Sequence, residues 1–199
     1  NDMKDLFLNF SNLLKTPLKD FLSGFKKVID ETAEESGKSV AFQVEGDDIY
    51  ISQDEQNLLN DSLIHLVRNS VDHGIEGSEI RVKENKAEVG NILISVKKND
   101  NGYGIEIKDD GAGIDSELVT KKAIENGIVS SEEVQNMSEG DKLKLIFRAG
   151  LSTKEQVSEL SGRGVGMDVV ITNIKKLGGE IDISTEKGVG TQFSISIKA

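Results

Sequence analysis

Both histidines of this chain fall in one run, Ser62-Leu63-Ile64-His65-Leu66-Val67-Arg68-Asn69-Ser70-Val71-Asp72-His73-Gly74. Offsets of four, seven and eight from His65 put Asn69, Asp72 and His73 along one helical face, with apolar residues opposite. A polar strip backed by core residues is costly unless it lines a wet or liganded cleft. The amide oxygen of Asn69 is a hard, neutral donor suited to Mg²⁺, which takes oxygen ligands and keeps several waters. Two plainer readings stay open: a solvated helix face with a capping cluster at His73-Gly74, and a three-ligand zinc site from His65, Asp72 and His73. His65 and Asn69 could act as base or orienter and as metal ligand at a reacting phosphate; spacing alone does not assign those roles.

Two glycine segments add to this. Asp109-Asp110-Gly111-Ala112-Gly113 follows a strand directly. Its glycines let the backbone turn sharply and let a flat ligand come close. A carboxylate at the strand's end can accept a hydrogen bond from an exocyclic amine such as that of adenine. An ordinary Asp-Gly turn or a calcium loop is the alternative, although no Glu closes a twelve-residue loop in register. In Gly162-Arg163-Gly164-Val165-Gly166-Met167 the glycines come just before a helix, whose free N–H groups can hold phosphate oxygens. The G-x-G-x-G spacing is a weak dinucleotide signal, because that fingerprint belongs to the first strand–helix turn of a parallel unit. No Walker A sequence occurs. Lys154 and Arg163 are candidate phosphate contacts or ordinary surface charges.

The elements that must position these residues alternate between the two periodicities. Helical spacing predicts helices over residues 1–17 (ending at Pro17), then along Phe21, Phe25, Val28, Ile29 and Ala33 until Gly37. Ser39–Val44 and Asp48–Ile51 read as a hairpin around Glu45-Gly46-Asp47. A long helix from about Gln53 to His73 carries the polar strip, and Ile80–Ala87 reads as a charged surface helix. Strands are expected at Asn91–Lys97 and Gly104–Lys108 about an Asn101-Gly102 turn. A helix is expected near Glu117–Glu125. Residues 127–162 hold a short helix around Leu143–Phe147 and then a polar stretch, a pattern of a lid or mobile loop. Val165–Leu177 is helical, and Glu180–Thr185 with Thr191–Ile197 closes the chain as a strand pair. The expected fold class is α/β, a two-layer sandwich of helices on a mostly antiparallel sheet, with residues 1–17 as an extension or junction.

Composition agrees. The 199 residues suit one large domain, and 20 glycines imply several loops with special backbone needs. Thirty-five acidic against 24 basic residues give −11, with no Lys/Arg stripe, which argues against a general nucleic-acid binder. With no cysteine, disulfide and thiolate chemistry are excluded. No apolar run of transmembrane length and no signal-peptide pattern occurs, so a cytoplasmic location without membrane contact is expected. The opening Asn1 reads as the start of a piece of something longer.

Taken in order, the Asn-bearing helix, Asp-x-Gly-x-Gly, lid, Gly-x-Gly-x-Gly and Gly188-Val189-Gly190-Thr191 resemble the ATPase superfamily of sensor histidine kinases, type II topoisomerases, Hsp90-like chaperones and mismatch-repair ATPases. Within it, His65 through Glu76, and Leu151-Ser152-Thr153-Lys154-Glu155 through Val170, are similar to the catalytic domain of CheA-type chemotaxis histidine kinases. The likeness covers roughly residues 20–198.

It implies a Bergerat-type ATP-binding sandwich over residues 18–199, holding ATP and Mg²⁺ under a lid of about residues 127–162. Asn69 would bind the magnesium and Asp109 would read the adenine amine. Gly111 and Gly113 would shape the adenine pocket, with Thr191 beside it. Gly162, Gly164 and Gly166 would wrap the phosphates. His65 would assist phosphotransfer, His73 would lie near the phosphates, and Phe147 would anchor the lid. Asp72, Ser152, Thr153, Lys154, Arg163, Val165 and Met167 complete the implied nucleotide-binding set. One departure is Ala149-Gly150-Leu151 where the family usually has Pro-Gly-Phe, which implies altered lid packing.

The implied reaction is transfer of the ATP γ-phosphate to a histidine on a separate domain, in the same parent protein or in trans, feeding a response regulator. Receptor and coupling proteins would act through further domains. A nucleotide-binding switch without phosphotransfer is the leading alternative. A chaperone- or topoisomerase-like ATPase is another, although that class has a carboxylate base where this chain has His65.

Overall fold

The computed structural model describes residues 15–148 and 166–198. In chain order the elements are β1 (Thr16–Pro17), α1 (Leu18–Ser23), α2 (Lys26–Glu35), β2 (Val40–Gly46), β3 (Tyr50–Ile51), α3 (Gln53–Asn69) and a π-helical turn at Ser70–Gly74. There follow α4 (Ser78–Lys83), β4 (Gly90–Asn99), β5 (Gly102–Asp109), α5 (Ser116–Glu125), α6 (Ser131–Gln135), α7 (Glu139–Lys144) and a 3₁₀ turn at Leu145–Phe147. The last are α8 (Met167–Lys176), β6 (Glu180–Glu186) and β7 (Gly190–Lys198).

The main sheet has the order β2-β4-β5-β7-β6. All its pairings are antiparallel except β2–β4. Period-two alternation turns Ile92, Ile94 and Val96 of β4, Ile105 and Ile107 of β5, and Phe193, Ile195 and Ile197 of β7 to one face, where all are buried. The other face carries Lys97, Glu106, Lys108 and Ser194, as expected of an antiparallel sheet wetted on one side. Leu59, Leu63, Leu66 and Val67 of α3, Ile29 of α2, and Val170 and Ile174 of α8 cover the buried face as the second layer. The mixed two-layer sandwich expected from the sequence is therefore present.

Several local expectations are corrected. Residues 39–51 form no hairpin: β2 pairs in parallel with β4, Val40 opposite Gly90 through Gly46 opposite Val96, while Tyr50–Ile51 pairs with Thr16–Pro17. Gly46, at φ +117°, lies so close to Val96 that a side chain there would collide with its backbone, so the end of β2 reaches β4 only with glycine at this position. Thr16–Pro17 is a strand and not a helix end, while the remainder of the expected first helix lies outside the described residues. The expected surface helix ends at Lys83 and gives way to a loop; Glu79, Ile80, Val82 and Lys83 on it are exposed as expected, but Arg81 turns inward and is 1% exposed.

In 127–148, where hydrophobic periodicity is mixed, two capping boxes organise the chain: Ser130 with Glu133 starts α6 and Ser138 with Asp141 starts α7. This part packs a small second core of Val119, Ala123, Val129 and Leu145.

Candidate functional site

The alternation along β5 that turns Ile105 and Ile107 inward does the same to Asp109 at the strand's end, leaving its carboxylate 2% exposed. Thr191 stands opposite it on β7, likewise buried. The N–H groups of Gly111 (3.1 Å) and Thr191 (3.2 Å) both donate to Asp109 Oδ1, and neither engages Oδ2. Burial pushes the Asp109 carboxyl above its ordinary 3.8 and outweighs these donors.

The backbone beside Asp109 is held by close approach. A β-carbon on Gly111 would come within 2.1 Å of the Gly74 carbonyl oxygen, and Gly113, at φ +75°, would place one 2.5 Å from the Glu186 carbonyl. Ala112 N–H donates to that Gly74 oxygen at 2.9 Å.

The polar helix changes character where it meets this loop. Ser52 and Glu55 cap α3 reciprocally at its start. After Asn69 the helix widens into a π turn closed by Ile75 N–H on the Ser70 carbonyl at 2.8 Å. Ser70 is 2% exposed, and its hydroxyl is a buried polar atom without a formed hydrogen bond, beside the Asp109 carboxylate. Lys38 Nζ donates to the Val71 and Asp72 carbonyls at 2.7 Å each, satisfying oxygens that the wider turn frees. The π turn also breaks the regular helical spacing: His65, Asn69 and His73 stay on the cleft, whereas the exposed side chain of Asp72 is not among its lining residues.

These groups border a cleft of about 490 Å³, in the range of small-molecule sites. Asp109, Thr191, Gly113 and Phe193 form its sheet end, and His65, Asn69, Ser70, His73 and Gly74 its α3 side. Met167, opening α8, meets Asn69 through a weak Nδ2–H···Sδ contact of 3.6 Å. Burial, with the charges of His73 and Arg68 and against that of Asp168, lowers the His65 imidazole below its ordinary 6.5. Among the described residues no group of three or more His, Cys, Asp or Glu side chains could hold a metal, which removes the zinc reading of His65, Asp72 and His73.

The facing wall is not foreseen in the sequence: Ile114 and Asp115 just before α5, Leu118, Val119 and Lys122 on it, and Ile146 in the 3₁₀ turn. Apolar residues at helical spacing signal burial but not whether the partner is core or ligand. Phe147 lies behind the cleft, edge-on to Phe193 with ring centroids 6.4 Å apart. Gly166 and Met167 are described; Ser152, Thr153, Lys154, Gly162, Arg163, Gly164 and Val165 lie outside the described residues. No helix among the described residues is long and apolar enough to cross a membrane.

Comparison with known proteins gives a consistent result. A family model described as histidine kinase-, DNA gyrase B-, and HSP90-like ATPase matches residues 54–199. The sensor histidine kinase CheAY of Helicobacter pylori is 41% identical over 193 residues, covering 97% of this chain and 24% of that protein. Chemotaxis protein CheA of Halobacterium salinarum is 39% identical over 181 residues, covering 91% of this chain and 27% of that protein. The chain thus spans about a quarter of the length of these curated relatives. Among solved structures, the nucleotide-free catalytic domain of histidine kinase ThkA aligns with a TM-score of 0.55 at 19% identity, covering 92% of this chain and 93% of that one, a likeness of fold.

Proposed function

This chain belongs to the family of histidine kinase-, DNA gyrase B- and HSP90-like ATPases, and we propose that it binds ATP and delivers the γ-phosphate to a histidine carried on a separate domain. The observation that carries this reading is the buried Asp109 carboxylate, held by two backbone N–H groups at one end of a cleft whose α3 side carries Asn69. Adenine fits the first end. Its 6-amino group donates to a carboxylate, the buried Ser70 hydroxyl beside that carboxylate adds a second polar group, and Gly111 leaves room for the backbone that frames the ring.

The Asn69 amide oxygen, a hard neutral donor on the cleft, would hold Mg²⁺. When bound it neutralises charge on the phosphates. Asn69, Met167 and the helix start after Gly166 then orient the triphosphate, with Ser152, Thr153, Lys154, Gly162, Arg163, Gly164 and Val165 proposed as its remaining contacts. His65, neutral at physiological pH, holds or takes a proton beside the reacting phosphate. An imidazole nitrogen of the acceptor attacks phosphorus, the bond from phosphorus to the β–γ bridging oxygen breaks, and ADP departs.

The acceptor lies outside this chain's residues, because His65 and His73 both line the nucleotide cleft. We take residues 18–199 as the catalytic domain with a lid of about 127–162, and residues 1–17 as the junction with a neighbour. The acceptor domain, in the same parent protein or in trans, would pass phosphate to a response regulator. We extend the proposal, on the resemblance to CheA-type kinases, to receptor and coupling proteins acting through other domains and to a cytoplasmic setting.

The test supplies γ-labelled ATP, Mg²⁺ and a separate phosphoacceptor domain from a CheA-type relative. Label is expected on that domain, absent from this chain, and lost with Asn69→Ala. ATP binding without transfer would replace the kinase by a nucleotide switch, and steady turnover to free phosphate would replace it by an ATPase.

A further inference from the structure

Behind the cleft, and contributing no side chain to it, lies a network of four charges, buried at Arg81 and Glu76 and reaching the surface at Asp110. Arg81 is 1% exposed and donates to Glu76 Oε2 at 3.0 Å, to Asp110 Oδ2 at 2.9 Å and to the carbonyls of Ala87 (2.7 Å) and Asp110 (3.2 Å). Lys86 Nζ donates to Glu76 Oε1 at 2.6 Å and to the Asp110 and Gly111 carbonyls at 3.0 and 2.7 Å. Burial opposes the charge of Glu76, but Lys86 and Arg81 outweigh it and hold the carboxyl below its ordinary range. Asp110 is fixed further by the backbone and side-chain N–H groups of Asn91.

Two cations against two carboxylates leave the cluster neutral, which is what makes burial of Arg81 tolerable. Such a cluster need not add stability over an apolar one, so its placement is the informative part. It grips the chain leaving the π turn through Glu76, the loop after α4 through the Ala87 carbonyl, and the residues just after Asp109 through their carbonyls. Gly111 has no side chain with which to fix itself. Its carbonyl is held by Lys86, and its N–H donates to Asp109 Oδ1.

We propose that Lys86, backed by Arg81 and Glu76, is a positioning residue that sets purine discrimination in the cleft by holding the Asp110–Gly111 backbone whose N–H orients the Asp109 carboxylate. This rests on the nucleotide reading given above. Adenine offers Asp109 a 6-amino donor, whereas guanine offers a 6-oxo acceptor that the carboxylate repels. Discrimination therefore depends on where that carboxylate is held. A loop released from Lys86 gives up adenine affinity and loses little for guanine.

The experiment measures ATP and GTP affinities by calorimetry for the wild-type chain, Lys86→Met and Lys86→Arg, with thermal melts to establish folding and amide exchange at Gly111 as a local readout. Lys86→Met is expected to raise the ATP Kd about tenfold, leave the GTP Kd nearly unchanged, and speed exchange at Gly111. Lys86→Arg, which keeps a cation, should recover most of each effect. Equal weakening of ATP and GTP, or an unchanged preference with Gly111 still protected, would overturn the proposal while sparing the nucleotide reading. A wild-type chain that binds no ATP overturns both. If Lys86→Met fails to fold, Lys86→Gln, which removes the cation but keeps a polar side chain, decides: a lowered ATP preference with faster Gly111 exchange in a folded protein supports the proposal, and an unaltered ratio with unaltered Gly111 exchange rejects it.

Discussion

Gly111 and Gly74 meet backbone to backbone, so closely that a β-carbon on Gly111 would stand 2.1 Å from the Gly74 carbonyl oxygen. Gly111→Ala should therefore push apart the Asp109 loop and the end of the polar helix. The expected cost is about 1–3 kcal/mol of stability from overpacking, with a larger loss in ATP affinity. Gly104→Ala on the same chain segment meets no atom nearer than 3.6 Å and serves as the control. Urea melts and ATP titration of both variants check this; equal behaviour would refute the close approach.

Asp109 makes a prediction about pH. Its folded-state value lies above the ordinary 3.8 because of burial, so the folded protein binds more protons than the unfolded chain between the two values. Stability is then fully present below 3.8 and is lost as pH rises through the folded value. Asp109→Asn keeps an oxygen for the Gly111 and Thr191 donors and carries no charge. It should melt at higher temperature than wild type at neutral pH, an advantage that vanishes in acid, while binding ATP at least tenfold more weakly, by about 1.4 kcal/mol or more. Melting curves across pH with parallel titrations measure both halves.

Lys38 supports the π turn from outside the cleft. Burial lowers its amine from the ordinary 10.5, against the carboxylates of Asp72 and Glu76, and it bonds two backbone carbonyls. Lys38→Met should cost about 1–2 kcal/mol by leaving those oxygens less well satisfied. Because Ser70, His73 and Gly74 line the cleft, ATP affinity should fall as well. Chemical denaturation and calorimetry would reveal a stability change without a binding change, the outcome that breaks this link.

His65 bears on the rate. Its folded value lies below 6.5, so its contribution to stability is fully present above 6.5 and is lost as pH falls through the folded value, and the neutral form predominates above 6.5. Phosphotransfer to a supplied acceptor should be flat across neutral pH and decline below 6.5. His65→Gln should slow transfer about a hundredfold and flatten the acid limb. A pH–rate profile in which the variant keeps the wild-type acid limb would assign that limb elsewhere.

Much of the fold is legible from period: Ile92-Ile94-Val96 and Ile105-Ile107 announce their strands, and Leu59-Leu63-Leu66 the helix over them. The same alternation, carried two residues past Ile107, already places Asp109 on the buried face. What eluded the sequence is pairing at a distance. Nothing local to Val40–Gly46 says that its partner is Gly90–Val96 and not the next apolar segment. Arg81 sits in a run whose composition looks exposed, and its burial is explained by its partners Glu76 and the remote Asp110. The π turn has no local signature either, so a regular helix from His65 carries Asp72 onto the cleft where the wider turn does not. Leu118 and Val119 face a ligand-sized space by virtue of a helix that its own periodicity cannot distinguish from any other amphipathic one.

The two hydrophobic clusters have a consequence for kinetics. Asp109 and Asn69 belong to elements packed in the large core, while Val119, on the facing wall, is rooted in the small one, and the partly buried Ile114 and Ile146 are common to both. The cleft runs along the seam. Under the proposed function, the sheet and α3 bank is expected to decide which nucleotide is chosen, and the α5 bank, joined to it through those isoleucines, the Lys187–Asp115 and Lys144–Asp182 ion pairs and the Ile114 N–H on Thr185, to decide how long it stays. Substitutions in the small core should accordingly change how long a nucleotide stays without changing which nucleotide is chosen.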